Sequence, residues 1–345
     1  MTLVRPLAGR PLGKQLGNGA TYVFNRGSAR GVAAMDLVLD DAARVLGSVF
    51  GTVPGRGPVI SRAPWPFEGT FDAEIVTCRT SAGDVRRVYC KHGPPIGGTR
   101  HEAYGHRGGL AREGAVYSYV LEPLGVSAAR CIGFRHDDLT DADWLVLEYL
   151  EGATSLLDSR RTKTLDRASE WLGSFHGATE GLWPDLLLSG IPFRDAEWYQ
   201  GWMDRTAGWA GVLHLRYPWL ATACQQEDLY EPLLTAPHSV VHGEFSPANV
   251  LLRDGEVYPV DWESAALAPG ELDLAFFTLG WPNRLRRRVE SAYARRRWPG
   301  GPPATFESTL RAARIHACFR VLGDSPMGPS ADDARTIFRI LHSLV

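Results

Sequence analysis

Between Val240 and Ala275 the chain reads VVHGEFSPANVLLRDGEVYPVDWESAALAPGELDLA, and three of its residues carry oxygen donors of the kind a hard cation takes. Glu244 offers a carboxylate, Asn249 an amide and Asp261 a second carboxylate. NVLLR and VYPVDW are apolar arms around Asp254-Gly255, a dipeptide that accepts positive φ and closes a tight hairpin. The hairpin brings Asn249 and Asp261 together at its open end, and Glu244 lies five residues ahead of Asn249 in the preceding loop. One or two carboxylates with an amide around a small volume suit Mg2+, which fills its remaining sites with water and substrate phosphates. The competing reading of these residues is a polar hairpin with Asn249 as a turn residue.

The pattern H-G-E-x-x-x-x-N, followed by V-D-W-E, resembles the catalytic and metal-binding loops of the aminoglycoside phosphotransferase and choline kinase family, in a branch with HGE in place of HGD. That family is similar in fold to protein kinases. The resemblance implies an α+β, bilobal fold, with an antiparallel-sheet lobe carrying one main helix, then a mostly helical lobe. It implies transfer of the γ-phosphoryl group of Mg-ATP, or GTP, to a hydroxyl of a small molecule such as an antibiotic or other secondary metabolite. Glu244 then orients or deprotonates the acceptor hydroxyl, while Asn249 and Asp261 hold Mg2+ on the nucleotide phosphates. Three more places fit. Lys91 ends the strand VYCK as the phosphate-binding lysine should, Glu113 lies in the next helix as its partner, and WLVLEYLEG has the form of the hinge. Backbone groups near Glu148 and Leu150 would bond the adenine there. His242, Glu263 and Asp273 also match family positions, with loop bracing as the expected role. The match covers roughly residues 65–280.

Two departures stand out. Glutamate at 244 adds a methylene, shifting the carboxylate by on the order of 1 Å, and such a misplacement can cost about 100-fold unless the loop compensates. The nucleotide loop Pro66–Phe71 holds one glycine rather than a glycine-rich repeat. Both motivate a second reading, a catalytically weak, pseudokinase-like protein that binds nucleotide or metabolite. A protein kinase is disfavoured because no D-F-G or A-P-E follows Asn249.

The elements that must position these residues follow from hydrophobic period. Residues 30–50 carry a helical stripe that ends at Gly51, and a proline-rich extended segment follows. FDAEIVTCR and VRRVYCKH form a hairpin about Gly83-Asp84, residues 111–121 a helix, and 129–135 and 144–148 two more strands. Beyond Gly152 the pattern turns helical, with stripes at 165–176, 305–322 and 331–344. We expect an N-terminal extension with a helix at 1–55, a nucleotide-binding small lobe at 56–150 and a helical large lobe with catalytic loop and acceptor site at 151–345.

The 345 residues have 44% hydrophobic and 22% charged side chains and a net charge of −2, typical of a globular chain. No apolar stretch approaches a membrane span or a signal peptide, and nothing asks for nucleic acid. We expect a cytoplasmic monomer or homodimer without membrane contact. Five cysteines without a C-x-x-C fit reduced thiols. Of 37 basic residues only Lys14, Lys91 and Lys163 are lysine, so lysine at 91 is the unusual choice; a compact ammonium is what a phosphate clamp can use. The arginine runs around 284–288 and 295–297 read as a solvated helix face. Trp198, Trp202, Trp209 and Trp219, with Phe193, Tyr199 and Tyr217, lie among Asp185, Asp195, Glu197 and Asp204. Most of these tryptophans are expected to pack in a helical core. An aromatic wall would suit a large, partly apolar acceptor and an acidic cleft an amino sugar, and the sequence leans to the first.

Overall fold

The computed structural model describes residues 41–51, 59–66, 70–94, 108–159, 162–182, 190–209, 217–324 and 331–345. Its contacts divide the chain into two compact units that meet in sequence at Gly152 and Ala153.

The first unit is built on five antiparallel strands: β1 (Val59–Pro64), β2 (Asp72–Arg79), β3 (Val85–His92), β4 (Cys131–Asp137) and β5 (Ala142–Glu148), in the order β1-β2-β3-β5-β4. Alternation along β2 buries Glu74, Val76 and Cys78 while Ala73, Ile75 and Thr77 between them are only half-buried, the period a half-buried strand requires. Residues 41–50 form helix α1, whose Ala42, Val45 and Leu46 pack with Val76, Cys78, Val88, Cys90, Trp144 and Val146 of the sheet. The part of the expected helix before residue 41, and most of the Gly-rich loop at 97–109, lie outside the described residues. Helix α2 (Gly109–Val116) continues through a π turn, Tyr117–Leu121, and a last turn, Glu122–Leu124, to Gly125 in the left-handed conformation. That π turn has no signal in the apolar stripe that marks the helix.

The second unit is mostly helical. Its long elements are α3 (Thr162–Thr179), α4 (Ala196–Trp209), α8 (Asn283–Arg297), α9 (Phe306–Gly323) and α10 (Ala331–His342), with short α5 (Pro218–Ala223), α6 (Glu231–Thr235) and α7 (Glu271–Phe277) between. Strand β6 (Thr154–Ser155) joins the hairpin of β8 (Val250–Arg253) and β9 (Glu256–Pro259), while β7 (His238–Val241) pairs with β10 (Ala266–Pro269). Asp254 and Gly255 both have positive φ, 53° and 83°, and close the β8–β9 hairpin as the sequence predicts. Thus an antiparallel-sheet part precedes a helical part in an α+β protein-kinase-like fold.

Part of the aromatic segment is core, as expected for most of its tryptophans, while Phe193 is exposed and Tyr217 and Trp219 are half-buried. Trp198, Tyr199 and Trp202 are buried in the helical cluster with Leu220, Leu233 and Phe319, whereas Asp195, Glu197 and Asp204 face solvent. Asp185 and the Trp209 side chain lie outside the described residues. One arginine of the expected solvated face is also internal. Arg297 is buried, donates to Glu180 at 2.7 Å and Glu271 at 3.2 Å, and lies 4.4 Å from the Trp298 ring. Val289, Tyr293 and Arg297 fall four residues apart on one helical face, so Arg297 must follow the apolar stripe inward. The five cysteines are free thiols, and burial pushes Cys224 up to about 12. No helix of the described residues is long and apolar enough to cross a membrane.

Candidate active site

The loop His242–Glu244 follows β7 and turns sharply. Gly243 has φ +81°, and a Cβ there would come within 2.2 Å of the Ser264 carbonyl oxygen, so only glycine fits. The turn is pinned from several sides. Asp273, fully buried on α7, accepts the His242 N–H at 2.6 Å and the Gly243 N–H at 2.8 Å. His176 Nε2 also donates to Asp273 at 3.2 Å, while His176 Nδ1 meets the Tyr293 hydroxyl at 2.9 Å. His242 Nδ1 accepts the Glu244 N–H at 3.2 Å, so its Nε2 carries the proton and donates to the Val260 carbonyl at 3.0 Å. Burial, against the nearby Asp273 charge, holds the His242 pKa below the ordinary histidine value. A neutral imidazole with both nitrogens engaged is a brace between the loop and the chain just past β9.

Asn249 closes the next turn, donating from Nδ2 to the Glu244 carbonyl at 3.1 Å. Asp261, just past β9, sits in the left-handed region at φ 75°, which aspartate tolerates better than most residues. It leads the single turn Trp262–Ser264. Trp262 is fully buried, donates to the Pro259 carbonyl at 3.2 Å and tilts over His242, with ring centroids 4.5 Å apart. This packing aims the flanking acids to one place. Glu244, Asp261 and Glu263 offer carboxylate oxygens within 4.8 Å of one another, the one such group among the described residues. Three like charges this close favour a bound cation, and an all-oxygen set suits Mg2+.

The other side chains with expected roles lie in the sheet unit. Lys91, on the central strand β3 between Ala73 and Leu145, donates to Glu113 at 2.8 and 3.0 Å. Lys91 is buried at 8% exposure and Glu113 at 0%, so the pairing offsets the cost of taking both charges out of solvent. Glu148 ends β5, its N–H donating to the Arg130 carbonyl at 2.8 Å. Leu150 lies beyond the last ladder bond. Residues 67–69 of the glycine-poor loop lie outside the described residues.

Two participants go beyond the motif reading. Glu263, expected to brace a loop, belongs to the carboxylate group, at i+2 from Asp261. Arg320 of α9 donates from Nη2 to Glu244 at 2.8 Å and from Nη1 to the Gly243 carbonyl. Its sequence signal is a lone charge within the apolar run IHACFRVL, where a buried guanidinium demands partners.

Residues 86–305, more than half of the chain, match the model of the phosphotransferase enzyme family. No curated protein matches. Among solved structures, the choline kinase of Streptococcus pneumoniae is similar at 14% identity, with 90% of this chain and 99% of that one covered and a TM-score of 0.59. The macrolide 2'-phosphotransferase of Brachybacterium faecium is similar at 16% identity, covering 90% and 98%, with a TM-score of 0.54. A spectinomycin phosphotransferase in complex with ADP and spectinomycin is similar at 12% identity, covering 88% and 93%, also at 0.54.

Proposed function

Because this chain belongs to the phosphotransferase enzyme family, we propose that it moves the γ-phosphoryl group of Mg-ATP, or GTP, to a hydroxyl of a small molecule. An antibiotic or other secondary metabolite is the acceptor class we favour, and the cytoplasm, where five free thiols stay reduced, is the setting. The observation that carries the reading is the convergence of Glu244, Asp261 and Glu263 on a loop whose backbone is bonded at residue after residue. Asp261, with the oxygen end of the Asn249 amide, would hold Mg2+, and Glu263 is placed to join them. The bound cation would neutralise charge on the transferring phosphoryl group. Lys91, braced by Glu113, would bind phosphate oxygens, and the backbone near Glu148 and Leu150 would bond the base. Glu244 would orient the acceptor hydroxyl and take its proton as the new P–O bond forms and the nucleoside diphosphate leaves. Catalysis would rest mainly on positioning and charge neutralisation.

The test is phosphate transfer from labelled ATP to a panel of hydroxylated metabolites by wild type and Asp261→Asn. We expect a labelled acceptor with wild type and a loss of at least about 1,000-fold in the variant. Full activity in Asp261→Asn refutes the metal assignment. One observation favours the pseudokinase-like reading: one oxygen of the Glu244 carboxylate is already engaged by Arg320 rather than left open to an acceptor hydroxyl. Mg2+-dependent nucleotide binding with no transfer to any acceptor or to water would put that reading first.

A further inference from the structure

Glutamate at 244, one methylene longer than aspartate, meets a partner on α9. In the run Ile315–Leu322 every residue is buried, and Arg320 is its one charge at pH 7 with histidine neutral. A guanidinium so placed is costly unless its donors are used. Its fork spans two consecutive residues of the catalytic loop, the Gly243 carbonyl and Glu244 Oε1, while its carbon centre lies 4.9 Å from the Phe276 ring. Asp273, His242 and Asn249 hold the loop backbone; Arg320 adds a hold on the side chain itself. That hold has two physical consequences. Glutamate has one more rotatable bond than aspartate, and a tether removes the freedom that bond brings. Asp261 and Glu263, within 4.8 Å, repel the Glu244 carboxylate, and Arg320 offsets the repulsion. Arg320 lies beyond residues 86–305, so the family match does not supply this contact.

We infer that Arg320 is a positioning residue for Glu244, binding the Gly243 carbonyl and the Glu244 carboxylate together so that glutamate does the work of the shorter aspartate. The inference rests on the phosphotransferase reading above. Lysine would keep the charge but not the two-pronged reach.

The experiment uses the full chain and measures phosphoryl transfer from Mg-ATP to the acceptor found by screening, or to water. The variants are Arg320→Gln, Arg320→Lys, Glu244→Asp, Glu244→Gln and the double variant Glu244→Gln/Arg320→Gln. Arg320→Gln should lower kcat by about 10- to 100-fold with KM for ATP nearly unchanged, and Arg320→Lys should fall between it and wild type. In the Glu244→Gln background, Arg320→Gln should cost little more, because the group it positions is gone. Glu244→Asp should be slower than wild type, since the shorter arm withdraws from Arg320. Equal fractional losses in both backgrounds, or Glu244→Asp as fast as wild type, would overturn the inference while leaving the enzyme reading intact. If Arg320→Gln does not fold, a folded Arg320→Lys with full kcat overturns it equally. No transfer by wild type to any acceptor or to water sinks the phosphotransferase reading, and this inference with it.

Discussion

In the sheet unit, Lys91 is held by a buried ion pair with Glu113 of one helix; in the helical unit, the loop that carries Glu244 is held by a network reaching α7, α3, α8 and α9 and bonded to Val260, next to Asp261. The first device sets two opposite charges against each other, both nearly out of solvent. The second spreads its cost over Asp273, His176, His242, Asn249, Trp262 and Arg320. A pair gives one well-placed charge. A network fixes a backbone as well as a side chain, which a site that must aim several oxygens at one point requires. The two devices fix different things: the Lys91–Glu113 pair sets a charge, and the network behind the loop sets a backbone together with its side chains.

After loss of the Asp261 carboxylate, the largest effect on transfer should come from the pair. Lys91→Met should reduce phosphoryl transfer by at least about 100-fold, and Lys91→Arg should fail to restore it, because a guanidinium is larger and planar. A Lys91→Arg rate near wild type, measured by the same transfer assay, would show that position 91 supplies only charge. Next comes the keystone of the network. Asp273→Asn places an amide against two backbone N–H donors and should cost about 2 kcal/mol or more of stability, read as a lower midpoint in urea unfolding. An unchanged midpoint would mean that the loop holds itself.

The smallest effect separates the units by pH. Burial holds His176, His242 and His316 below the ordinary histidine value, and all three lie in the helical unit. The unfolded chain takes up their protons near pH 6.5 and the folded chain does not, so their contribution is full above that pH and is lost as pH falls below it. In the sheet unit, Glu74 is buried yet held below its usual value by His92 and Arg62, and Asp137 is held down by Arg44. Their contribution is lost only as pH falls through the carboxylate range. Hydrogen exchange corrected for intrinsic rates should show the helical unit loosening first as pH falls from about 7 to about 5. Equal loosening of both units would break the comparison.

The sequence pattern made much of this visible. The Asp254-Gly255 turn with its apolar arms places Asn249 and Asp261 at one end of a hairpin, and period changes mark the sheet and helix regions. β-branched and aromatic enrichment put Lys91 on a strand, and the family resemblance singled out Glu113 on the following helix as its partner, where the structure pairs them. Contacts between residues far apart in the chain were not legible. Arg320 is 76 positions from Glu244, and Asp273 reaches back 31 to His242, distances that no local period encodes. Glu263 was visible as a motif letter but not as a member of the carboxylate group, because the left-handed turn at Asp261 decides where it points. The aromatic cluster around Trp198 fills the helical core, since helical spacing serves packing and binding walls alike.

The most direct test of the central claim is a calorimetric titration with a non-hydrolysable ATP analogue, with and without Mg2+, on wild type and Asp261→Ala. Wild type should bind the analogue more tightly with Mg2+ than without it, and Asp261→Ala should lose that Mg2+ dependence. Absence of binding by wild type, or the same Mg2+-dependent binding in both proteins, would contradict it.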